Sequence, residues 1–267
     1  MSKKKADKAS KPLDYVMGSP VDGGTARAAL KFALATFGLM VGFLLLGAMM
    51  MWKNIALRVA LNLGLLAFGY LLFWQMGLTA GTIAVNKGEI VRQRELTDRP
   101  VSESERREAY HPMKGFILSL LGSIPVFLIA AVLALTAQKV MTGAGTLPSW
   151  LETLERREEI GAALVSYHQK AAMTLTDVLR LLVRMSIMPL VNILGAENKD
   201  GLLLLERLSP LLVLLPAVFY GAGYQGGVGV RQRVHSDIEA GKRKIKRRQK
   251  RERQQRNRAG KGPEQLN

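Results

Sequence analysis

The sequence predicts an all-α polytopic membrane protein: four transmembrane helices plus one interfacial or re-entrant amphipathic helix. Three observations carry this reading. Four uncharged, mostly apolar blocks, Phe32 to Met51, Val59 to Val85, Gly115 to Gln138 and Leu208 to Val230, run for 20, 27, 24 and 23 residues. Each reaches the ~20 residues that a helix rising ~1.5 Å per residue needs to cross a ~30 Å hydrocarbon core. Basic residues crowd into alternate connecting segments, and the one other long apolar stretch, 173–195, is interrupted by charge. Four such blocks in a 267-residue soluble chain would leave too little amphipathic sequence to cover them.

The elements follow in order. Residues 1–28 form a basic tail, opening MSKKKADKASK. The apolar run behind it exceeds a signal-peptide core and lacks a small-residue cleavage site, so it reads as a retained first span. With Asp7, Asp14 and Asp22 among its lysines, the tail also lacks the character of an organelle transit peptide. Residues 29–85 form a transmembrane hairpin, because the connection around WKN is too short for anything but antiparallel helices. Segment 86–114 reads as a loop with one short helix, started by a Ser102/Glu105 capping box and closed by Pro112, with Tyr110 and His111 next to the third span, 115–138.

Residues 139–207 read as an extracytoplasmic helical cap. It has a helix start at Ser149 with Glu152, a possible interface anchor in Trp150, and the amphipathic stretch 173–195. In that stretch Asp177, Arg180 and Arg184 fall three and four residues apart on one face, where Asp177 can pair with Arg180. As a full span it would place Arg184 at the bilayer centre, at a cost of about 2.5 to 3.5 kcal/mol. Its uncharged remainder, Met185 to Ala196, is only 12 residues long, and Pro189 should kink it near Met185. An outer-face helix follows. The fourth span is 208–230, and no acidic residue falls in any of the four spans so drawn, which disfavours a proton-coupled pump.

Charge sets the orientation. Segments 1–31, 86–114 and 231–267 hold 28 of the 38 Lys and Arg, and cationic segments stay on the cytoplasmic side. With four spans these three fall on one side, so both termini are expected in the cytoplasm, by default of a prokaryotic plasma membrane. A fifth span would put the most basic segment outside.

Residues 231–267 are a polybasic tail, with Ser236 and Glu239 as a third capping box. Its core is Lys242, Arg243, Lys244, Lys246, Arg247, Arg248, Lys250, Arg251 and Arg253, with only Ile238 and Ile245 large and apolar. Such a segment suits anionic lipid headgroups, RNA or a ribosome, and without aromatic residues it reads no base sequence. The alternative function is a transporter or channel subunit with a polar path along Asn62, Gln75, Asp177, Arg180 and Arg184; otherwise the arginines snorkel to headgroups.

There is no cysteine, the histidines 111, 168 and 235 are far apart, and no catalytic motif is present. No metal, cofactor or enzymatic activity is expected. Gly38/Gly42 and Gly223/Gly227 have the spacing of close helix contacts, through which a homo- or hetero-oligomer can form. The run YGAGYQGGVGV at 220–230 reads as a flexible exit or a tight helix contact.

Overall fold

The computed structural model describes residues 13–137, 175–195 and 198–259. Among these it holds no strand and eight helices: α1 (Thr25–Met49), α2 (Ile55–Leu96), α3 (Glu103–Glu108), α4 (Lys114–Thr136), α5 (Leu175–Ser186), α6 (Met188–Leu194), α7 (Lys199–Leu212) and α8 (Leu215–Ala259). α1, α2, α4 and the α7–α8 pair are long and apolar enough to cross a membrane, which makes the chain an all-α integral membrane protein. The expected helix start at Ser149 and the Trp150 anchor lie outside the described residues.

The bundle is organised around α2 and α8, which run parallel at backbone distance. A Cβ on Gly77 or Gly81 would stand 2.1 Å from the carbonyl oxygen of Tyr220 or Tyr224, and one on Gly223 equally close to that of Trp74. Four glycines spaced by four, two on each helix, thus remove the side chains that would hold the axes apart. The glycine-rich run is therefore a tight helix contact, and Gly223 and Gly227 spend their small size inside this chain. Gly38 and Gly42 on α1 face open space. α4 completes the core: Ser119 Oγ donates to the Ala217 carbonyl at 3.0 Å, and Gly122 admits Phe32 of α1. Phe32 then meets Phe73 and Tyr220 edge-on, each at 5.2 Å between ring centres.

The described part of the amphipathic stretch, 175–195, enters the bundle and turns back. α5 packs along α4 through Val183 and Ile187 against Ala130 and Leu133. Its last residue, Ser186, borders a gap shared with Thr36, Tyr70 and Val126, close to the middle of α1 and α4. The helix breaks at Ile187, where Pro189 cannot supply the next backbone donor. α6 then climbs back between α1 and α2, where Asn192 Nδ2 donates to the Gly47 carbonyl at 2.8 Å and to Asn62 Oδ1 at 3.1 Å. This is the re-entrant form of the expected helix, with the break two residues past the expected kink.

Three expected boundaries differ. Segment 86–114 does not begin as a loop, because α2 stays helical to Leu96, held by its contact with α8 and by flanking ion pairs. The fourth membrane helix begins at Lys199 instead of Leu208 and is interrupted at Val213–Leu214, so it includes Glu206. No helix starts at Ser236: α8 passes through unbroken, and Ser236 Oγ donates to the Arg233 carbonyl at 2.7 Å. The Ser102/Glu105 start does hold, with the Ser102 N–H donating to Glu105 Oε2 at 3.4 Å.

Around the tail end of the bundle the charges of 86–114 form a collar. Lys87 pairs with Glu108 at 2.6 Å, Arg94 with Glu105 at 2.9 Å and Arg92 with Asp14 at 3.1 Å. The amino-terminal segment threads this collar, Val16 N donating to the Gly88 carbonyl and Gly18 N to that of Tyr110. Asp22, with 7% of its side chain exposed, binds Lys114 Nζ at 2.5 Å. Burial alone would raise the Asp22 pKa, but hydrogen bonds from Lys114 and Thr25, the Lys114 charge and the Gly24 N–H together hold it below its ordinary 3.8.

Two outcomes are expected. Gly227→Leu, whose Cβ would stand 2.5 Å from the Gly81 backbone, should lower the thermal midpoint in detergent by about 2 to 10 °C, while Gly38→Leu should leave it unchanged. Because the Asp22 pKa is depressed, its stabilisation is complete above 3.8 and lost as pH falls below that value. Amide exchange at Val16 and Gly18 should then accelerate beyond its chemical pH dependence, and Asp22→Asn should abolish that step.

Candidate functional site: the basic arm and a buried arginine pair

The tail is a helical arm. α8 leaves the bundle without interruption and ends at Ala259, and all nine basic residues from Lys242 to Arg253 are on it. All nine are exposed; Arg243 and Arg248 make i,i+4 ion pairs with Glu239 and Glu252 at 3.3 and 3.1 Å. At ~100° per residue the nine cations cover about two thirds of the circumference. Ile245 and Glu252 lie on the remaining strip, so no continuous apolar face is available.

The arm has a fixed root. Glu89 of α2, largely buried, accepts from Arg231 Nε at 2.9 Å and Nη2 at 2.8 Å and is 2.9 Å from His235 Nε2. Arg231 Nη2 also donates to Asn86 Oδ1 at 2.8 Å. Glu89 thus ties two turns of α8 to α2 just past the apolar runs of both helices. Above this root Tyr110 stacks on Tyr224 at 5.4 Å, and burial pushes the Tyr110 hydroxyl above its usual range.

A second cluster sits at the other end of the bundle. Glu206 of α7 is 3% exposed and accepts from Arg180 Nε at 2.9 Å and from Arg184 Nε and Nη2 at 2.9 and 2.6 Å. The Arg180 side chain is 13% exposed and lies 3.6 Å from Asp177, the pairing that the spacing suggested. With two carboxylates and two guanidiniums the group is formally neutral, so charges expensive on their own become tolerable between helices. The arginine heads point to Glu206 and do not snorkel along the bilayer surface.

Of the residues on the expected polar path, the structure brings together Asp177, Arg180 and Arg184. Asn62 is fully buried in a different place, its Nδ2 donating to the Arg58 carbonyl at 2.8 Å and its Oδ1 accepting from Asn192. Gln75 is exposed on the outer surface of α2. The gap next to Ser186 has a volume of about 10 Å³, room for roughly one water. Glu206, Glu89 and Asn192 were not singled out from sequence; the signal for Glu206 was a lone charged pair, Glu206–Arg207, inside the leucine-rich run 202–215. No group of three metal-ligating side chains occurs among the described residues.

Fold and site together define a polytopic helical membrane protein with a re-entrant helix pair and a basic helical arm continuous with its last span. Against known protein families, curated proteins and solved structures, the chain matches none.

Removing Glu206 while keeping both arginines should be costly. Glu206→Leu should destabilise the protein by about 3 to 5 kcal/mol in detergent unfolding, and adding Arg184→Leu to that variant should recover part of the loss.

Proposed function

We propose that this chain is a non-enzymatic scaffold that holds a rigid basic arm in the cytoplasm for the phosphate backbone of RNA, free or within a ribosome, at a prokaryotic plasma membrane. The observation that carries the proposal is the unbroken course of α8 from span to arm, with Glu89 holding its root to α2. At ~1.5 Å per residue, Lys242 lies about 18 Å and Arg253 about 34 Å beyond Val230, the last residue of the apolar run. Even tilted by 40° the same charges stand about 14 to 26 Å out. The Debye length in physiological salt is about 8 Å, so most of the arm is beyond the reach of a lipid surface potential. A soluble polyanion fits this height, and headgroups do not. The excess of Lys and Arg at the tail end supports a cytoplasmic placement.

The transport reading gains less support. Donors of Arg180 and Arg184 are taken by Glu206, Gln75 faces outward, and Asn62 is locked to Asn192.

The test uses the full chain in nanodiscs of neutral phosphatidylcholine with single-stranded RNA. Binding should weaken with salt along a log–log slope of about −4 to −6, as for six to nine phosphates engaged, and should not depend on base sequence. Converting Lys250, Arg251 and Arg253 to Gln should flatten the slope by about 2. Absence of RNA binding from neutral discs, with binding of the arm to anionic discs in its place, would replace RNA by lipid.

A further inference from the structure

At the hairpin end of the bundle, Arg58 is the last charge before the apolar run of α2 begins at Val59. Its backbone is fully used, the N–H donating to the Asn54 carbonyl and its own carbonyl accepting from Asn62 Nδ2. Its guanidinium is not. Nε is sealed from solvent and has no partner, and the guanidinium makes no ion pair with any described residue. The collar charges, Glu89 and Glu206 have counter-ions, so among the part-buried charges just described Arg58 differs.

The position of the guanidinium is built. Nη2 and Nη1 lie 3.4 and 3.7 Å from where a Cβ on Gly195 would stand. Gly195 ends α6 at φ +81°, a conformation that side chains rarely adopt, so the backbone leaves open the space that the guanidinium occupies. A second buried group without a partner belongs to the same neighbourhood: Asn192 Oδ1, whose amide nitrogen is fixed by Gly47 and by Asn62, one turn from Arg58. An unpaired cationic donor and an unpaired acceptor thus lie at the same end of the bundle, both next to Asn62, and each costs free energy. Exposed Trp52 on the adjoining turn marks the depth of a membrane interface.

We propose that Arg58, seated over Gly195 between α2 and α6, binds one phosphate group, that of a phospholipid headgroup lying between these helices. The terminal Nη1 and Nη2 of a planar guanidinium match two phosphate oxygens at once while Nε stays covered, and Arg58, half-buried beside the apolar run, sits at the depth of the headgroup layer. The bound lipid holds the re-entrant helix pair to the α1–α2 hairpin.

Native mass spectrometry of the delipidated full chain tests this, with phosphatidylglycerol, diacylglycerol of the same acyl chains and inorganic phosphate as probes. The wild type should retain one phosphatidylglycerol at concentrations where diacylglycerol is lost. Arg58→Gln should weaken retention about tenfold or more, Arg58→Lys less, and Lys53→Gln not at all. Millimolar phosphate that fails to displace the lipid confirms the headgroup; phosphate that binds by itself and displaces it assigns the site to free phosphate and overturns the lipid. Equal retention of diacylglycerol and phosphatidylglycerol by the wild type overturns the site altogether, independently of how any variant folds. So does unchanged retention in Arg58→Gln.

Discussion

The contact on which everything else depends is the glycine seam between α2 and α8. With no hydrophobic force between helices inside lipid, association rests on dispersion and close backbone approach, and both fall off steeply with distance. Gly77 and Gly81 meeting Gly223 and Gly227 bring two parallel helices to backbone contact over several turns. Both helices overshoot the bilayer in the same direction. The seam therefore fixes more than a bundle: it sets the direction in which a 45-residue helix leaves the membrane. Glu89 extends that constraint past the last glycine by replacing packing with a charged clamp on Arg231 and His235. A tail hinged at Ser236 would instead fold down onto anionic lipid, and the two geometries imply different partners.

The hairpin end is built on the opposite plan. There α5 and α6 enter the bundle without crossing it, and their chain reversal at Ile187 exposes backbone groups in an apolar setting. Non-helical backbone at that depth persists only where protein covers it. Two polar contacts fix the helices on either side of that reversal: Asn192 reaching across to Gly47 and Asn62, and Glu206 gathering Arg180 and Arg184. Neither adds much net stability over an apolar core of equal volume. What they add is position, since a displaced α5 would leave Glu206 buried without a counter-charge. The break in the last membrane helix at Val213–Leu214 belongs to the same arrangement, because Leu212, Val213 and Pro216 line the gap reached by Ser186.

How far this was legible in the sequence follows from the range of each signal. Span number, the re-entrant helix and the Ser102 cap rest on composition and spacing within one segment, and these carry over into the structure. The helix expected to start at Ser236 fails because a capping box signals a start only where the chain is not already helical; here the seam delivers α8 intact to that point. Likewise the loop expected from Asn86 is helix to Leu96, since the charge that ends an apolar run ends the membrane and not the helix. Glu206 is the clearest loss. Its meaning depends on arginines 22 and 26 residues upstream, on another helix, and a single sequence does not record that pairing. The Asp177–Arg180 pair, three residues apart, was visible for the same reason in reverse.

Charge placement connects the two ends. The collar at the tail end neutralises nearly every acid of 86–108 with a local base, so the region contributes structure and little net field. Most of the net positive charge, +10 of +17, is carried from Lys242 outward. A long-range field acts on what it can reach before screening removes it, and a rigid helix moves the source of that field away from the membrane. The same number of cations on a flexible tether would be averaged over the bilayer surface and the adjoining water alike. Stiffness, inherited from four glycines inside the membrane, is what turns a polybasic segment into a directed one.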